Sequence, residues 1–273
     1  MSHTLKEHFG YPTTHIACEL TLLDDRGRLK LTSRVLGTPP KIYYGSLKNL
    51  DSILHKAAKH IYEHTDPFTY ALFLYFNNQL DDCIDTIQRC ILSNKNKDTH
   101  LGYNLWGLVL HKQKKYDEAI DRFFKSKKIK PWYAQTYVNW GAVLRDQGKY
   151  KEAIEKYQEA SEIDPHSALI YNNWGLVLYD QGKYDDAIEK FQETINIDSQ
   201  SIPPYINLGL ALLDQEKYPD AIEKYKEAID IDLLFAPTYN NLGVVFYKQK
   251  KYEEAIKEYK KALNINPKFA GAY

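Results

Sequence analysis

The sequence predicts an all-α fold, a right-handed superhelical solenoid of helix-turn-helix units with a small α+β cap at its N-terminus. A 34-residue pattern runs through the chain five times without a gap. Each copy holds two stretches in which apolar residues recur every three or four positions, as they do on one helical face. Ahead of the copies, apolar and polar residues alternate as in strands. A period of this size is typical of solenoids, whose units bury their apolar faces only against their neighbours.

The five copies occupy residues 100–133, 134–167, 168–201, 202–235 and 236–269. We number the positions within a copy as places 1 to 34. Place 8 always holds a glycine: Gly107, Gly141, Gly175, Gly209 and Gly243. Place 4 always holds a tyrosine: Tyr103, Tyr137, Tyr171, Tyr205 and Tyr239. Residues that return at the same place indicate side chains with the same role in every unit.

The second copy illustrates the two helices, which we name helix A and helix B. Their apolar faces are formed by Tyr137, Trp140, Gly141 and Leu144, and by Tyr150, Ala153, Tyr157 and Ala160. Gly148 between them suits a left-handed helix end, and Pro165 ends helix B because proline cannot continue a helix. Gly141 and Ala153 are small, which predicts that the two helices approach closely at these places.

The array extends weakly in both directions. Leu80–Ile84 aligns with Tyr116–Ile120, which predicts a degenerate sixth repeat over residues 64–99, with a two-residue insertion near Asn94–Asp98. Residues 270–273 would begin a truncated further repeat. Because a solenoid needs a polar outer cap, this ending indicates a piece of a longer protein.

The N-terminal segment, residues 1–45, does not repeat. Ile16–Leu22 and Leu29–Val35 alternate in polarity around the turn formers Asp24–Gly27, which predicts a β-hairpin. A third strand is expected at Lys41–Tyr44.

A capping helix is predicted over residues 46–63. Ser46 is its expected N-cap, and apolar residues follow at helical spacing, Leu54 among them. We expect this helix to pack on the first repeat and cover its open edge.

The composition excludes several classes of protein. Lysine plus arginine balance aspartate plus glutamate at 36 each, which argues against a nucleic-acid binder, since that needs a basic stripe. Tyr70–Phe76, the longest apolar stretch, is too short to span a bilayer. Met1–Gly10 lacks the apolar segment of a signal peptide. We predict a cytoplasmic protein, or the cytosolic part of a tethered parent.

The search for chemistry yields no catalytic constellation. His60 and His64, near His55, have a spacing that can share a metal, but without an HExxH motif we interpret them as surface residues. Cys83 and Cys90 stand where other units have small residues and are interpreted as packing, with a redox or metal role as the alternative. We predict no enzyme activity, cofactor or metal. The competing hypothesis is an enzyme site in the N-terminal segment.

The repeated residues resemble the tetratricopeptide repeat family, whose pattern is W-x2-L-G-x2-Y, then A-x3-F, then A and P. The second copy matches it at Trp140-Gly141, Ala153, Tyr157, Ala160 and Pro165, and the fifth at Leu242-Gly243, Ala255, Tyr259, Ala262 and Pro267. The departures are Trp106, Trp140 and Trp174 at place 7, and Ser199 and Leu233 in place of the closing proline. The resemblance covers residues 100–269 and implies that helix A lines a concave face.

Place 6 of helix A holds an asparagine in four units: Asn139, Asn173, Asn207 and Asn241. Because an asparagine amide both donates and accepts, such a row can bond the backbone of an extended peptide without reading its side chains. The row resembles the asparagine ladder of O-linked N-acetylglucosamine transferases, whose catalytic part is absent from this chain. The alternative is that the asparagines bond between neighbouring repeats.

Other places on helix A are expected to give selectivity. Place 5 holds Asn104, Asn172 and Asn240, place 12 holds Arg145, Tyr179 and Tyr247, and place 13 holds Asp146, Asp180 and Asp214. The acidic middle of this surface predicts a ligand with a basic or polar centre. The two-carboxylate clamp of chaperone-tail binders is missing. Aliphatic residues at place 9 offer a surface for apolar side chains or a partner helix.

We therefore predict a non-catalytic protein-protein interaction scaffold that takes up an extended peptide or a helix of a partner in its concave groove. The first alternative is a self-assembly module that stacks through an uncapped last helix, with Ile256, Tyr259 and Ala262 on one face. The second is the targeting part of a larger enzyme.

Overall fold

The computed structural model describes residues 5–7, 10–11, 14–23, 28–35, 38–92 and 99–268. The chain forms two compact units, Met1–Ile129 and Lys130–Tyr273. Tandem helical pairs form the described part of unit 2 and the second half of unit 1, and a small antiparallel sheet stands at the N-terminus. The predicted class, a helical-repeat solenoid with a small N-terminal sheet, is confirmed.

Five strands form the sheet: β1 (Leu5–Glu7), β2 (Gly10–Tyr11), β3 (Thr14–Leu22), β4 (Arg28–Val35) and β5 (Lys41–Ser46). β3 and β4 pair in antiparallel register, which confirms the predicted hairpin, and β5 pairs with β4 as the expected third strand. The predicted turn at Asp24–Gly27 lies outside the described residues. β1 and β2 also pair with β3 and were not predicted, because runs of two or three residues are too short to show alternation.

Unit 1 continues with five helices: α1 (Leu50–Thr65), α2 (Pro67–Phe76), α3 (Leu80–Leu92), α4 (Thr99–Lys112) and α5 (Tyr116–Ile129). Each contacts the next along the chain. α2 and α3 stand where the degenerate repeat is predicted, and α4 and α5 stand where the first full copy is predicted. The predicted two-residue insertion near Asn94–Asp98 lies outside the described residues.

α1 begins later than predicted, because a 3-10 turn over Leu47–Asn49 precedes it. Ser46 stands ahead of that turn, and its backbone N–H donates to Asn49 Oδ1 at 2.7 Å. Ile53 and Ala57 are buried against the sheet, and α1 also contacts α2. The predicted apolar face is wrong at Leu54, which is 45% exposed, because the sheet covers the side of α1 that carries Ile53 and Ala57.

Unit 2 consists of four helical hairpins with regular bounds. Its helices A are α6 (Ala134–Asp146), α8 (Ala168–Asp180), α10 (Ile202–Asp214) and α12 (Ala236–Lys248). Its helices B are α7 (Tyr150–Ile163), α9 (Tyr184–Ile197), α11 (Tyr218–Ile231) and α13 (Tyr252–Ile265). Among the helices the structure describes, none combines the length and apolar character needed to cross a bilayer.

The glycine at place 8 sets the distance between helix A and helix B. A Cβ on Gly175 would lie 2.6 Å from Cε1 of Phe191, the aromatic residue at place 24. A Cβ on Gly141 would similarly meet the ring of Tyr157 at 2.8 Å, and Ala153 is fully buried. The predicted close approach at the small residues is therefore confirmed.

Helix A ends in a left-handed residue in every described repeat. Gly148 and Gly182 have a φ of +72°. Lys149 N–H donates to the Leu144 carbonyl at 2.9 Å, and Gly148 N–H donates to the Arg145 carbonyl at 2.8 Å, the pair of bonds of a Schellman ending. The same place holds Lys114, Glu216 and Lys250, with φ between 59° and 62°.

Glu216→Gly is expected to raise the free energy of unfolding by about 0.5–1 kcal/mol. This conformation costs a residue with a Cβ about 1–2 kcal/mol, and glycine avoids that cost. Part of the gain is lost because glycine has more conformational freedom in the unfolded state. Thermal unfolding of the full chain measures the change. Gly182→Glu is the matched reverse substitution and should lower stability; the same direction of change in both variants would contradict the explanation.

The tyrosine at place 4 holds the turn that precedes its own helix A. In unit 2 its hydroxyl donates to a carbonyl six residues earlier: Tyr137 to Pro131 at 2.7 Å, Tyr171 to Pro165 at 3.2 Å, Tyr205 to Ser199 at 3.1 Å and Tyr239 to Leu233 at 3.1 Å. The acceptor is a backbone oxygen. The turns at Ser199 and Leu233 therefore keep the same bond without the family's proline.

Tyr225→Phe is expected to stabilise the chain by about 1 kcal/mol. Within the described residues the buried hydroxyls of Tyr225 and Tyr157 have no hydrogen-bond partner, and an unpaired buried hydroxyl costs about 1–3 kcal/mol. Burial also raises the pKa of Tyr225. Phe191 occupies the same place in the preceding repeat, so Phe191→Tyr is the matched control and should destabilise. A loss of stability in Tyr225→Phe, measured by urea unfolding, would reveal a partner for the hydroxyl.

Candidate functional site

The helices A of unit 2 lie side by side, because α6 contacts α8, α8 contacts α10 and α10 contacts α12. We call the side chains at places 2, 5, 6, 9, 12 and 13 of these four helices the helix A face. Hydrogen bonds join this face across repeats, each between residues 35 apart in the chain. A residue at one place therefore meets the following place of the next repeat.

The four asparagines at place 6 are half-buried and differ in their bonds. Asn139 Oδ1 accepts from Gln135 Nε2 at 2.9 Å. Asn173 Nδ2 donates to the Leu169 carbonyl of its own helix at 2.8 Å. Asn207 Nδ2 donates across the repeat to Asn172 Oδ1 at 3.0 Å. The alternative considered from the sequence, a bond between repeats, is thus observed at Asn207.

Asn241 makes no hydrogen bond within the described part of the chain. Asn207 donates to Asn172, which stands at place 5 of the repeat before it. The corresponding residue before Asn241 is Ile206, whose side chain cannot accept a hydrogen bond. The side chain of Asn240, next to Asn241, has its oxygen buried without a partner in the described structure. Asn104 belongs to α4 of unit 1 and is buried.

Place 9 forms an aliphatic strip on the helix A face. Its members are half-buried: Ala142, Leu176, Leu210 and Val244. Leu176 and Val244 also pack on the core of unit 2. The helix A face therefore includes an apolar surface whose side chains are held in place by the core of unit 2.

Places 12 and 13 pair across repeats. Arg145 Nε lies 2.5 Å from Asp180 Oδ2, and the Tyr179 hydroxyl donates to Asp214 Oδ2 at 2.5 Å. Burial, together with the Asp214 carboxylate, raises the pKa of Tyr179, so this hydroxyl stays protonated and keeps donating at neutral pH. Both pairs stabilise the contact between neighbouring repeats.

These pairs modify the predicted acidic surface. The charge of Asp180 is offset by Arg145, whereas Asp214 keeps its charge because its partner is neutral. Asp146 is exposed. Tyr247, the last residue at place 12, is 58% exposed. The negative charge of Asp214, whose observed partner is a neutral hydroxyl, therefore remains on the helix A face.

A cation at place 23 was not anticipated from the sequence. Lys156 lies 4.7 Å from the ring centroid of Trp140, and Lys190 lies 4.5 Å from that of Trp174. In unit 1, Arg122 lies 4.0 Å from the Trp106 ring. The constant spacing of sixteen residues between tryptophan and cation was the available signal. Each of these tryptophan rings therefore makes a cation–π contact with helix B of its own hairpin.

The other candidate residues have structural partners. Cys83 and Cys90 are free and buried, as the packing interpretation expects. The Cys83 thiol donates to the Ala71 carbonyl at 3.1 Å, and burial raises its pKa to about 12, so it is not a reactive thiolate at neutral pH. His60 is buried, with Nδ1 2.8 Å from Ser33 Oγ, which corrects its prediction as a surface residue. The side chains of His55 and His64 lie outside the described residues.

The predicted stacking face on the last helix needs a correction. Ala262 is buried against Ala236 and Tyr239 of α12, because α13 turns that side toward its own hairpin. Tyr259 is half-buried and Ile256 is 52% exposed. Of the three predicted residues, only Ile256 is widely accessible.

The hairpins, with a small residue of helix A facing an aromatic residue of helix B, define a helical-repeat protein. Models of the tetratricopeptide repeat match residues 166–233 and 236–269, and a model described as TPR repeat matches residues 141–182. The chain is a tetratricopeptide-repeat protein. No curated protein matches the sequence.

Many solved structures share the fold. The crystal structure of MamA is similar with a TM-score of 0.53 and 27% identity, covering 60% of this chain and 96% of MamA. YrrB, described as a TPR protein with an unusual peptide-binding site, gives a TM-score of 0.51 and 20% identity, covering 68% of this chain and 95% of YrrB. PilF of Pseudomonas aeruginosa gives 0.57 and 23% identity, covering 65% of this chain and 82% of PilF.

Proposed function

We propose that the chain is a non-catalytic interaction scaffold whose helix A face in unit 2 binds an extended segment of a partner protein. The observation that carries the proposal is the row of half-buried asparagines on neighbouring helices. An amide has two N–H groups and one oxygen. Asn173 and Asn207 each use one N–H in the bonds described, so a second N–H and the oxygen remain for a ligand backbone.

The spacing of the row suits an extended chain. Packed helices lie about 8–10 Å apart, and an extended peptide advances about 3.3 Å per residue. One asparagine therefore meets roughly every third ligand residue, and a segment of about twelve residues reaches all four. The aliphatic strip at place 9 would receive side chains of the same segment.

The charges on the face favour a neutral or basic ligand. Asp214 keeps negative charge near the row because its partner is a neutral hydroxyl, whereas Asp180 is offset by Arg145. Because these groups are exposed, their attraction should weaken with salt. The peptide-binding site attributed to YrrB, a protein with the same fold, supports a peptide as the ligand.

A screen of a twelve-residue peptide library tests the proposal. The parent chain is compared with a variant in which Asn139, Asn173, Asn207 and Asn241 are all alanine. We expect peptides that bind the parent and fail to bind the folded variant. Equal binding to both would show that the asparagines serve only the stack. No binding to the parent would remove the peptide-groove proposal.

A further inference from the structure

The sheet of unit 1 has an open side at β5, which we call the β5 edge. The strands pair in the order β1-β3-β4-β5, with β2 also on β3. The two strands that come first in the chain therefore lie beyond β3, and β3 and β4 separate them from the β5 edge. Among the described residues no strand pairs with this side of β5. A sheet edge is a place where a strand of another molecule can add.

The hydrogen-bond ladder determines which backbone groups of β5 face the open edge. Leu23 N–H donates to the Arg28 carbonyl at 2.7 Å, so these two residues form a hydrogen-bonded pair that continues the β3–β4 register. Because backbone groups alternate in direction along a strand, the odd-numbered residues of β4 bond to the odd-numbered residues of β5. The N–H and C=O groups of Ile42 and Tyr44 therefore face away from β4.

The two ends of the β5 edge are closed to pairing. Ser46 N–H also faces outward and donates to Asn49 Oδ1 at 2.7 Å, which agrees with the direction derived above. At the other end Pro40 has no N–H to donate. Between them, the outward N–H and C=O groups of Ile42 and Tyr44 have no hydrogen-bond partner in the described part of the chain.

The side chains at the β5 edge are apolar and exposed. Ile42 is 46% exposed and Tyr44 is 67% exposed. Both lie on the face of the sheet opposite α1, because Tyr43 between them packs against the core that includes Ile53. On the α1 side, a Cβ on Gly45 would overlap the Ile53 side chain. An added strand would therefore extend the face that carries Ile42 and Tyr44.

The segment that forms this edge is basic, although the whole chain has a net charge of zero. Residues 28–49 comprise β4, β5 and the 3-10 turn and contain no acidic residue. Their basic residues are Arg28, Lys30, Arg34, Lys41 and Lys48. Lys41 and Lys48 are exposed. This charge favours an acidic strand over a second copy of β5, which would bring the same lysines.

We propose that the β5 edge takes up an extended acidic segment of a partner protein as a further antiparallel strand. Partner residues opposite Tyr44 and Ile42 would exchange backbone hydrogen bonds with them and place apolar side chains beside theirs. An acidic residue would stand opposite Lys41. Because the lysines are exposed, their attraction should weaken as the salt concentration rises. The site lies in unit 1 and does not depend on the asparagine row of unit 2.

The probe for this site is a synthetic peptide of sequence DEVTVED with both ends blocked. In the antiparallel register its two valines stand opposite Tyr44 and Ile42, and the glutamate after the second valine stands opposite Lys41. Fluorescence anisotropy of the labelled peptide, titrated with the full chain at low salt, should show binding.

Methylation of single peptide nitrogens separates strand addition from general attraction between charges. The N–H groups of both valines would face the β5 edge, whereas that of the threonine between them would face away. Methylating the nitrogen of the first valine should weaken binding about tenfold or more, because it removes a hydrogen bond and puts a methyl group between the strands. Methylating the threonine nitrogen leaves the charge unchanged and should change the affinity by less than about twofold.

Two substitutions make the corresponding changes in the chain. Ile42→Pro removes an outward N–H and keeps the bonds between β5 and β4, since proline is tolerated on an edge strand. It should weaken probe binding about tenfold. Lys41→Glu should weaken it about fivefold, and a probe with lysine in place of the facing glutamate should bind this variant better than the parent. Lys56→Glu, at an exposed residue of α1, is the matched charge control and should have a smaller effect.

Four results would overturn the proposal. The first is the absence of probe binding, and the second is an equal effect of the two methylations, which requires no folded variant. The third is a single-stranded oligonucleotide of equal charge that binds more tightly and displaces the probe, because the basic segment would then serve phosphates. The fourth is self-association of the chain that Ile42→Pro removes, because the occupant would then be a second copy.

Discussion

Phe191→Ala is expected to lower the free energy of unfolding by about 3–5 kcal/mol. The ring is fully buried and belongs to the core that joins the third and fourth repeats. It fills the space left by the missing side chain of Gly175. Because a glycine has no side chain to move into the void, the cavity should stay largely open, and the cost should lie near the upper end. Urea unfolding followed by circular dichroism measures it.

The neighbouring glycine supplies the control. Gly175→Ala in the parent chain should destabilise, because its Cβ would lie 2.6 Å from the Phe191 ring. In the Phe191→Ala background the same methyl group enters the void, so its cost should fall or change sign. Additive losses would contradict the assigned contact between the two places.

Replacing the four asparagines at place 6 with alanine should weaken peptide binding by about 30-fold to 20,000-fold. Each neutral hydrogen bond contributes about 0.5–1.5 kcal/mol, so four contribute about 2–6 kcal/mol. A tenfold change in affinity corresponds to about 1.4 kcal/mol. The dissociation constant of the best library peptide, measured by calorimetry on both chains, gives the ratio.

The single variants should separate the two roles of the row. Asn207→Ala loses its bond to Asn172, so it should lower the stability of the array as well as its affinity. Asn241→Ala should lower affinity alone, because Asn241 has no partner in the described structure. Gln158→Ala with Gln192→Ala is the matched control, since both amides are exposed on helices B. An equal loss of affinity in this control would exclude the row as the site.

The fold was predictable because its signals are local and repeated. A glycine at place 8, an alanine at place 20 and an aromatic residue at place 24 return in every copy, and their contacts lie within one hairpin. The left-handed residue at the end of helix A was likewise predictable from Gly148 alone, because glycine favours that conformation. Leu54 was misplaced because the side of α1 that is buried depends on a sheet formed elsewhere in the unit.

The site was less predictable because its contacts lie between repeats. The pairs Arg145–Asp180, Tyr179–Asp214 and Asn172–Asn207 all join one place to the following place in the next repeat. That shift of one place results from how neighbouring hairpins pack against each other. The 34-residue period of the sequence does not reveal it. The sequence could therefore identify the asparagine row but not which amide groups were already bonded.

The most direct test observes the asparagine amides themselves. Selective labelling of asparagine side chains allows their N–H resonances to be followed while the best library peptide is added. The account predicts that the resonances of Asn173, Asn207 and Asn241 shift together and saturate with the peptide, whereas Asn196 on α9 does not move. Unchanged resonances of the three asparagines at saturating peptide would contradict the proposal that the helix A face binds the ligand backbone.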